Sequence, residues 1–258
     1  MIGDRVRQAA NVVFAVGQMI AVPLLAMTAS ADIGAVSDQY PTYVVPAGYA
    51  FGIWSLIFAL SLAYAVWQAL PAQTDSPLPR RVGWFTAAAF AGATLWQIVF
   101  PAGMFALSVL VIFGMLAALA VVAGRTVPRL RTLSRAEFWL VRVTFSIYLG
   151  WITVASVANA AQTLSAAGWS ASSPGAAAWG VAMLLASGAI AAAVVVATVA
   201  NLPYALTVIW ALVGVYIGQR TGDTPLGTGA TQAAAIIAAA LVGAAALASS
   251  RRHRAATA

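Results

Sequence analysis

The chain has 258 residues, 62% of them hydrophobic and 7% charged, with a mean hydropathy of +0.92, a composition that describes a polytopic membrane protein. Cysteine and lysine are absent and the single histidine, His253, lies in a basic tail, which excludes disulfides, thiolate metal sites, a Schiff-base lysine and an intramembrane imidazole. The net charge of +7 comes from arginines spread over short loops without a folded basic face, so it points to membrane orientation and away from nucleic acid.

In chain order, a first apolar segment runs from Asn11 to Ala29 behind Arg5 and Arg7. Two readings of it stay open. Its length of about 20 residues, with Gln18 and Pro23 inside, favours a retained bundle helix, whereas the small residues Ala29 and Ala31 resemble a signal-peptidase site. A loop without basic residues follows from Ser30 to Ala47, holding Asp32 and Asp38. Helix two is predicted from about Gly48 to Leu70, and the proline-rich PAQTDSPLPRR forms a turn. Helix three, about Val82 to Phe100, and helix four, about Met104 to Ala123, are joined by PAG, which leaves room only for a tight antiparallel hairpin. After an arginine-rich loop, helix five covers about Trp139 to Leu164. Helices six (Ala176 to Val199), seven (Tyr204 to Gln219) and eight (Thr231 to Ala248) complete the expected fold, an all-α polytopic membrane helix bundle of about eight transmembrane helices.

An even number of spans returns both termini to one side, and the arginines agree. Arg5, Arg7, Arg80, Arg81, Arg125, Arg129, Arg131, Arg135, Arg251, Arg252 and Arg254 all fall there, Arg142 opens helix five on that side, and Arg220 alone falls opposite. The positive-inside rule then places both termini in the cytoplasm and the protein in the cell membrane.

Helix five carries the most informative pattern. Thr144, Tyr148, Trp151, Ala155, Asn159 and Gln162 recur every three or four residues and so share one helix face, while the other faces are mostly aliphatic. A polar stripe in a span faces neighbouring helices or a cavity, and either hydrogen bonding across helix interfaces or contact with a ligand accounts for it. The tryptophans sort by depth: Trp67, Trp84, Trp139, Trp169 and Trp179 lie near helix ends or in a loop, as interfacial anchors do, whereas Trp54, Trp96 and Trp151 lie within the apolar slab. Deep aromatics either fill the core or line a pocket for a flat, largely apolar ligand.

These residues resemble the translocator proteins, also called tryptophan-rich sensory proteins. Within YPTYVVPAGYAFGIWSLIF, Pro41, Pro46, Trp54 and Phe58 are similar to the family's Pro-x-Trp-x-Pro-Pro loop and the helix that follows it; in helix five, Tyr148, Leu149, Trp151, Ala155 and Asn159 are similar to its Tyr-Leu-x-Trp and Ala-x-x-x-Asn pattern; and Trp96 and Phe100 carry a weaker likeness in helix three. The likeness covers about residues 10 to 163. The chain departs from the pattern at Tyr43, at Ile147 and at Gly92 or Ala93, and adds three helices. The resemblance implies a five-helix bundle over residues 1–165, with three additional helices and a basic tail over 166–258. It also implies a pocket for a porphyrin or other tetrapyrrole, or for a sterol, lined by Trp54, Trp151, Ala155 and Asn159 and capped by Tyr43 and Pro46. Phe58, Trp96 and Tyr148 complete the candidate ligand-binding set.

The expected function is therefore binding of a flat hydrophobic ligand for sensing, storage or transport. The expected partners are membrane lipid and the ligand itself, with no nucleic acid, and with a homodimer as the oligomer to consider. A porphyrin enters as ligand and not as an obligatory cofactor, and no metal site is expected. Porphyrin propionates call for a cation, and the outer half offers only Arg220, so a neutral lipid-like ligand fits equally well. The alternative is a facilitator or exporter of a small apolar solute without ion coupling, since all six acidic residues fall in loops or at helix ends. No nucleophile and base pair or phosphate loop marks an enzyme; tryptophan-assisted breakdown of a tetrapyrrole at Trp151, implied by the resemblance, is the one catalytic idea.

Overall fold

The computed structural model describes residues 2–27, 33–169, 172–221 and 229–255. The Ala29 and Ala31 pair, Asp32 and Asp223 lie outside the described residues. Among the described residues the secondary structure is helical throughout.

The long helices are α1 (Ile2–Ala26), α3 (Ile53–Ala69), α4 (Pro77–Val99), α5 (Phe105–Thr126), α7 (Thr144–Ala166), α8 (Ala176–Ala197), α9 (Leu202–Thr221) and α10 (Gly229–Ala255), with a short α2 (Ile33–Gln39) and a single turn α6 (Arg135–Glu137) between them. Seven segments of the described residues, built on α3, α4, α5, α7, α8, α9 and α10, are long and apolar enough to cross a membrane. With α1, 25 residues long, they form the expected all-α polytopic bundle.

The differences from the sequence reading have local causes. Helix three begins at Pro77, five residues before the predicted Val82, because a proline in the first turn gives up only an amide that no helical carbonyl would accept. The turn before it is correspondingly shorter. Helix two opens with a 3₁₀ turn, Gly48–Gly52, and helix five with a π-helical stretch, Phe138–Val143, preceded by a capping box in which Ser134 and Glu137 exchange bonds. Within the predicted loop, IGAVSDQ folds as α2, a helix too short for hydrophobic periodicity to reveal.

The chain forms two compact units that interleave along its length. The first comprises residues 1–36 and 54–149. In it α1 lies against α4, and α4 pairs with α5 through the tight hairpin at Gly103, whose φ of 73° suits glycine. One face of α1 is polar yet buried. Asn11 Nδ2 donates to the Gly83 carbonyl at 2.8 Å, Gln8 Nε2 to the Gln68 carbonyl at 2.7 Å, and Thr86 Oγ1 to Asn11 Oδ1 at 2.6 Å. Gly83 also makes room for Arg7, since a Cβ there would stand 2.7 Å from Arg7 Cδ.

The second unit comprises residues 37–53 and 150–258. Small residues bring its helices close, as packing in lipid favours. A Cβ at Gly188 of α8 would stand 2.7 Å from Ala238 Cα of α10, and one at Gly150 of α7 would stand 2.8 Å from the Tyr204 carbonyl of α9. The α7 helix runs through both units. It is buried on nearly all sides: Phe145, Leu149, Ile152 and Val154 are as hidden as the polar stripe, so the stripe is not its only inward face.

Candidate functional site

In the first unit the predicted residues Trp54, Phe58, Trp96 and Tyr148 come together. Trp54 on α3 stacks on Trp96 of α4 with ring centroids 6.4 Å apart and planes 26° from parallel, and presents itself to the edge of Tyr148 at 6.0 Å. Phe58, one turn on from Trp54, sits 5.2 Å away, and Phe100 stacks on Trp96 at 4.8 Å. Trp96 and Tyr148 are buried, while Trp54 and Phe58 are only partly so. The result is a sheaf of aromatic faces suited to another planar ring.

Two amides border this group that sequence reasoning did not select. Gln18 of α1, fully buried, accepts the Tyr148 hydroxyl at Oε1 over 3.2 Å. Gln97 of α4 donates its Nε2 to the carbonyls of Gln18 at 3.1 Å and Ala93 at 3.0 Å. Glutamine within an apolar run is the signal that could have found them, because a buried amide needs partners.

In the second unit Tyr43, Pro46, Trp151, Ala155 and Asn159 are found in two settings. Trp151 and Asn159 on α7 are buried and Ala155 is half-buried; the Trp151 ring meets Phe51 edge-on at 5.5 Å. The polar neighbours on this helix are satisfied mainly within their own turn, Ser156 by the Ile152 carbonyl and Thr144 by that of Trp139. Besides Tyr148, which bonds Gln18 of α1, Gln162 of the stripe reaches a different element, donating to Ser37 Oγ of α2 at 2.6 Å.

Tyr43 and Pro46 lie on the segment before the 3₁₀ turn, and α9 fastens that segment. Gln219 Nε2 donates to the Tyr43 carbonyl at 2.6 Å, the Ala47 amide donates to the Gly214 carbonyl at 2.9 Å, and Trp210 Nε1 donates to the Ala50 carbonyl at 3.3 Å. Gly214 and Gly218 are where this segment lies against α9: a Cβ at Gly214 would meet Ala50 at 2.8 Å and one at Gly218 the Ala47 nitrogen at 2.9 Å.

Of the predicted residues, Tyr43 lines a cavity of about 290 Å³, part of it open, together with Thr42, Val44, Ala161, Trp169, Trp179 and Met183. Trp169 and Trp179 meet edge to face at 6.0 Å on its rim. Only about 20 Å³ of it is enclosed space, room for about one water, so the remainder is open groove, and no charged residue lines it. Arg220, the outer cation of the sequence reading, is exposed and donates to its neighbour Tyr216 at 2.6 Å. Among the described residues no three His, Asp or Glu side chains approach closely enough to share a metal ion.

A family model described as TSPO-like protein matches residues 8–248, which takes in all of α3 to α9. No curated protein and no solved structure matches the chain.

Proposed function

Because the chain belongs to the TSPO-like protein family, a family of multi-pass membrane proteins, we infer that it binds a flat hydrophobic molecule, a tetrapyrrole in the first place, for sensing, storage or transport. The observation that carries this reading is the stacked group of Trp54, Trp96 and Tyr148, with Phe58 beside it. A large planar ligand gains from burial, at about 25 cal/mol per Å² of apolar surface, and from offset or edge contacts with such rings. Trp54 is only partly covered. The arginine distribution supports a cell-membrane location with both termini in the cytoplasm.

A neutral lipid-like ligand has its own support in the uncharged cavity beside Tyr43. A facilitator or exporter of a small apolar solute is the other class. The glycines that rocking of α9 would use, Gly214 and Gly218, are instead committed to the fastened segment, which favours binding over a wide-opening channel.

The reading is tested by titrating the purified protein with protoporphyrin and following tryptophan fluorescence. Saturable quenching that weakens about tenfold or more in Trp54→Leu is expected. Quenching that never saturates, or that is the same in both proteins, contradicts it. Saturable flux of an apolar dye across reconstituted vesicles, without porphyrin binding, favours the exporter.

A further inference from the structure

Gln18 and Gln97 are buried at 0% and 3% exposure within the first unit, and each keeps one polar atom unused. Among the described residues, Gln18 Nε2 and Gln97 Oε1 have no hydrogen-bond partner. The orientation of Gln97 is fixed, because exchanging its oxygen and nitrogen would set an oxygen against the two carbonyls of Gln18 and Ala93. Its Oε1 therefore remains an acceptor. Gln18 Oε1 is held by the Tyr148 hydroxyl, which leaves Nε2 as a donor.

An amide group left unpaired when buried is costly, and the apolar interior of a bundle supplies no solvent to satisfy it. Here the donor belongs to the amide that holds the Tyr148 hydroxyl and the acceptor to the amide that donates to the Gln18 main-chain carbonyl, while the rings of Tyr148 and Trp96 are linked through Trp54.

We propose that the Gln18–Gln97 pair recognises the polar edge of the ligand: a neutral planar ring that offers a carbonyl to Gln18 Nε2 and an adjacent N–H or O–H to Gln97 Oε1. This rests on the ring-binding reading above and narrows it. The ligand carries an amide-like edge and needs no charge where it meets the pair. A purely hydrocarbon ring would leave both amide atoms unsatisfied, so the pair discriminates against it as sites built to hydrogen-bond a substrate group do.

The test uses three small probes in equilibrium dialysis with the intact protein in detergent, corrected for partition into empty micelles: 2-quinolone, N-methyl-2-quinolone and naphthalene. The wild type is expected to bind 2-quinolone at least about tenfold more tightly than naphthalene, with the N-methyl compound, which lacks the donor, in between. Gln18→Leu and Gln97→Leu are each expected to abolish the preference while retaining naphthalene. Equal binding of all three probes by the wild type overturns the amide-edge proposal and leaves the aromatic site standing. Saturable binding of none overturns the aromatic site and the proposal with it. Because the probe series is read on the wild type, the result does not depend on either variant folding.

Discussion

Gln219 Nε2 donates to the Tyr43 carbonyl at 2.6 Å, and this bond joins α9 to the segment that sequence comparison reads as the pocket cap. Gln219 is 3% exposed. Its partner is a backbone oxygen, so the bond fixes the path of the segment, and Tyr43 lines the cavity. Gln219→Leu is expected to destabilise the protein by about 1–3 kcal/mol, the range for a buried hydrogen-bonding group deprived of its partner. It should also raise amide hydrogen exchange over residues 43–50 more than in α8 or α10. Unchanged exchange in that segment would show that the bond does not hold it.

Glycines on different helices should respond differently to the same added methyl. Gly218→Ala places a Cβ against the Ala47 nitrogen at 2.9 Å and the Val45 carbonyl at 3.2 Å, backbone atoms that cannot swing aside. A loss of about 1–3 kcal/mol is expected. Gly114 of α5 has nothing within 4 Å of the same position, so Gly114→Ala should be neutral or stabilising by up to about 1 kcal/mol, the helix-propensity difference. Thermal melting of the two variants side by side checks the contrast; equal losses would contradict the close approach.

Arg7 anchors the first unit. It is 1% exposed and donates through Nη1 to the Pro79 carbonyl at 3.2 Å and to Gln68 Oε1 at 3.3 Å, with Asp4 at 3.6 Å. Arg7→Met keeps the stem and removes the donors, so it should destabilise by about 1–3 kcal/mol for each buried acceptor left without a partner. Gly83→Ala should act in the same direction by displacing the Arg7 side chain. Additive losses in the double variant would contradict a shared mechanism, since coupled sites are non-additive.

Acid should loosen the same end of α1. Arg80 donates two hydrogen bonds to the Asp4 carboxylate, at 2.9 and 2.7 Å, and these, ahead of the attraction of the Arg80 and Arg7 charges, hold the Asp4 carboxyl below its usual range. A depressed folded-state value means that the contribution to stability is complete above the ordinary aspartate value of about 3.9 and disappears as pH falls through the lower, folded value. The melting temperature should therefore fall more steeply in the wild type than in Asp4→Asn as the pH is taken below about 4. Parallel curves would contradict the assignment.

Long apolar runs made the spans legible, because about 20 residues without charge can be accommodated in few other ways. Trp96 and Trp151 are buried, while Trp84, Trp139 and Trp179 are half-exposed. What sequence could not supply were relationships between elements. Gln18 and Gln97 are far apart in sequence, and nothing local marks them as partners. The commitment of Gly214 and Gly218 to residues 45–50 looks in sequence the same as a helix-packing glycine pair. The short α2 and the π-helical entry to α7 escaped because periodicity needs more than two turns to show. The polar stripe of α7 was real but less selective than its spacing suggested, since the remainder of that helix is buried as well.

The central claim is that a planar ligand binds against Trp54 and Trp96. The most direct measurement is equilibrium binding of protoporphyrin to the purified protein, with its stoichiometry, in wild type, Trp54→Leu and Trp179→Leu. The account predicts saturation at about one ligand per chain, loss of about tenfold or more in affinity for Trp54→Leu, and little change for Trp179→Leu, whose ring borders the separate cavity at Tyr43. Failure to saturate, or an affinity that falls with Trp179→Leu and not with Trp54→Leu, would contradict it.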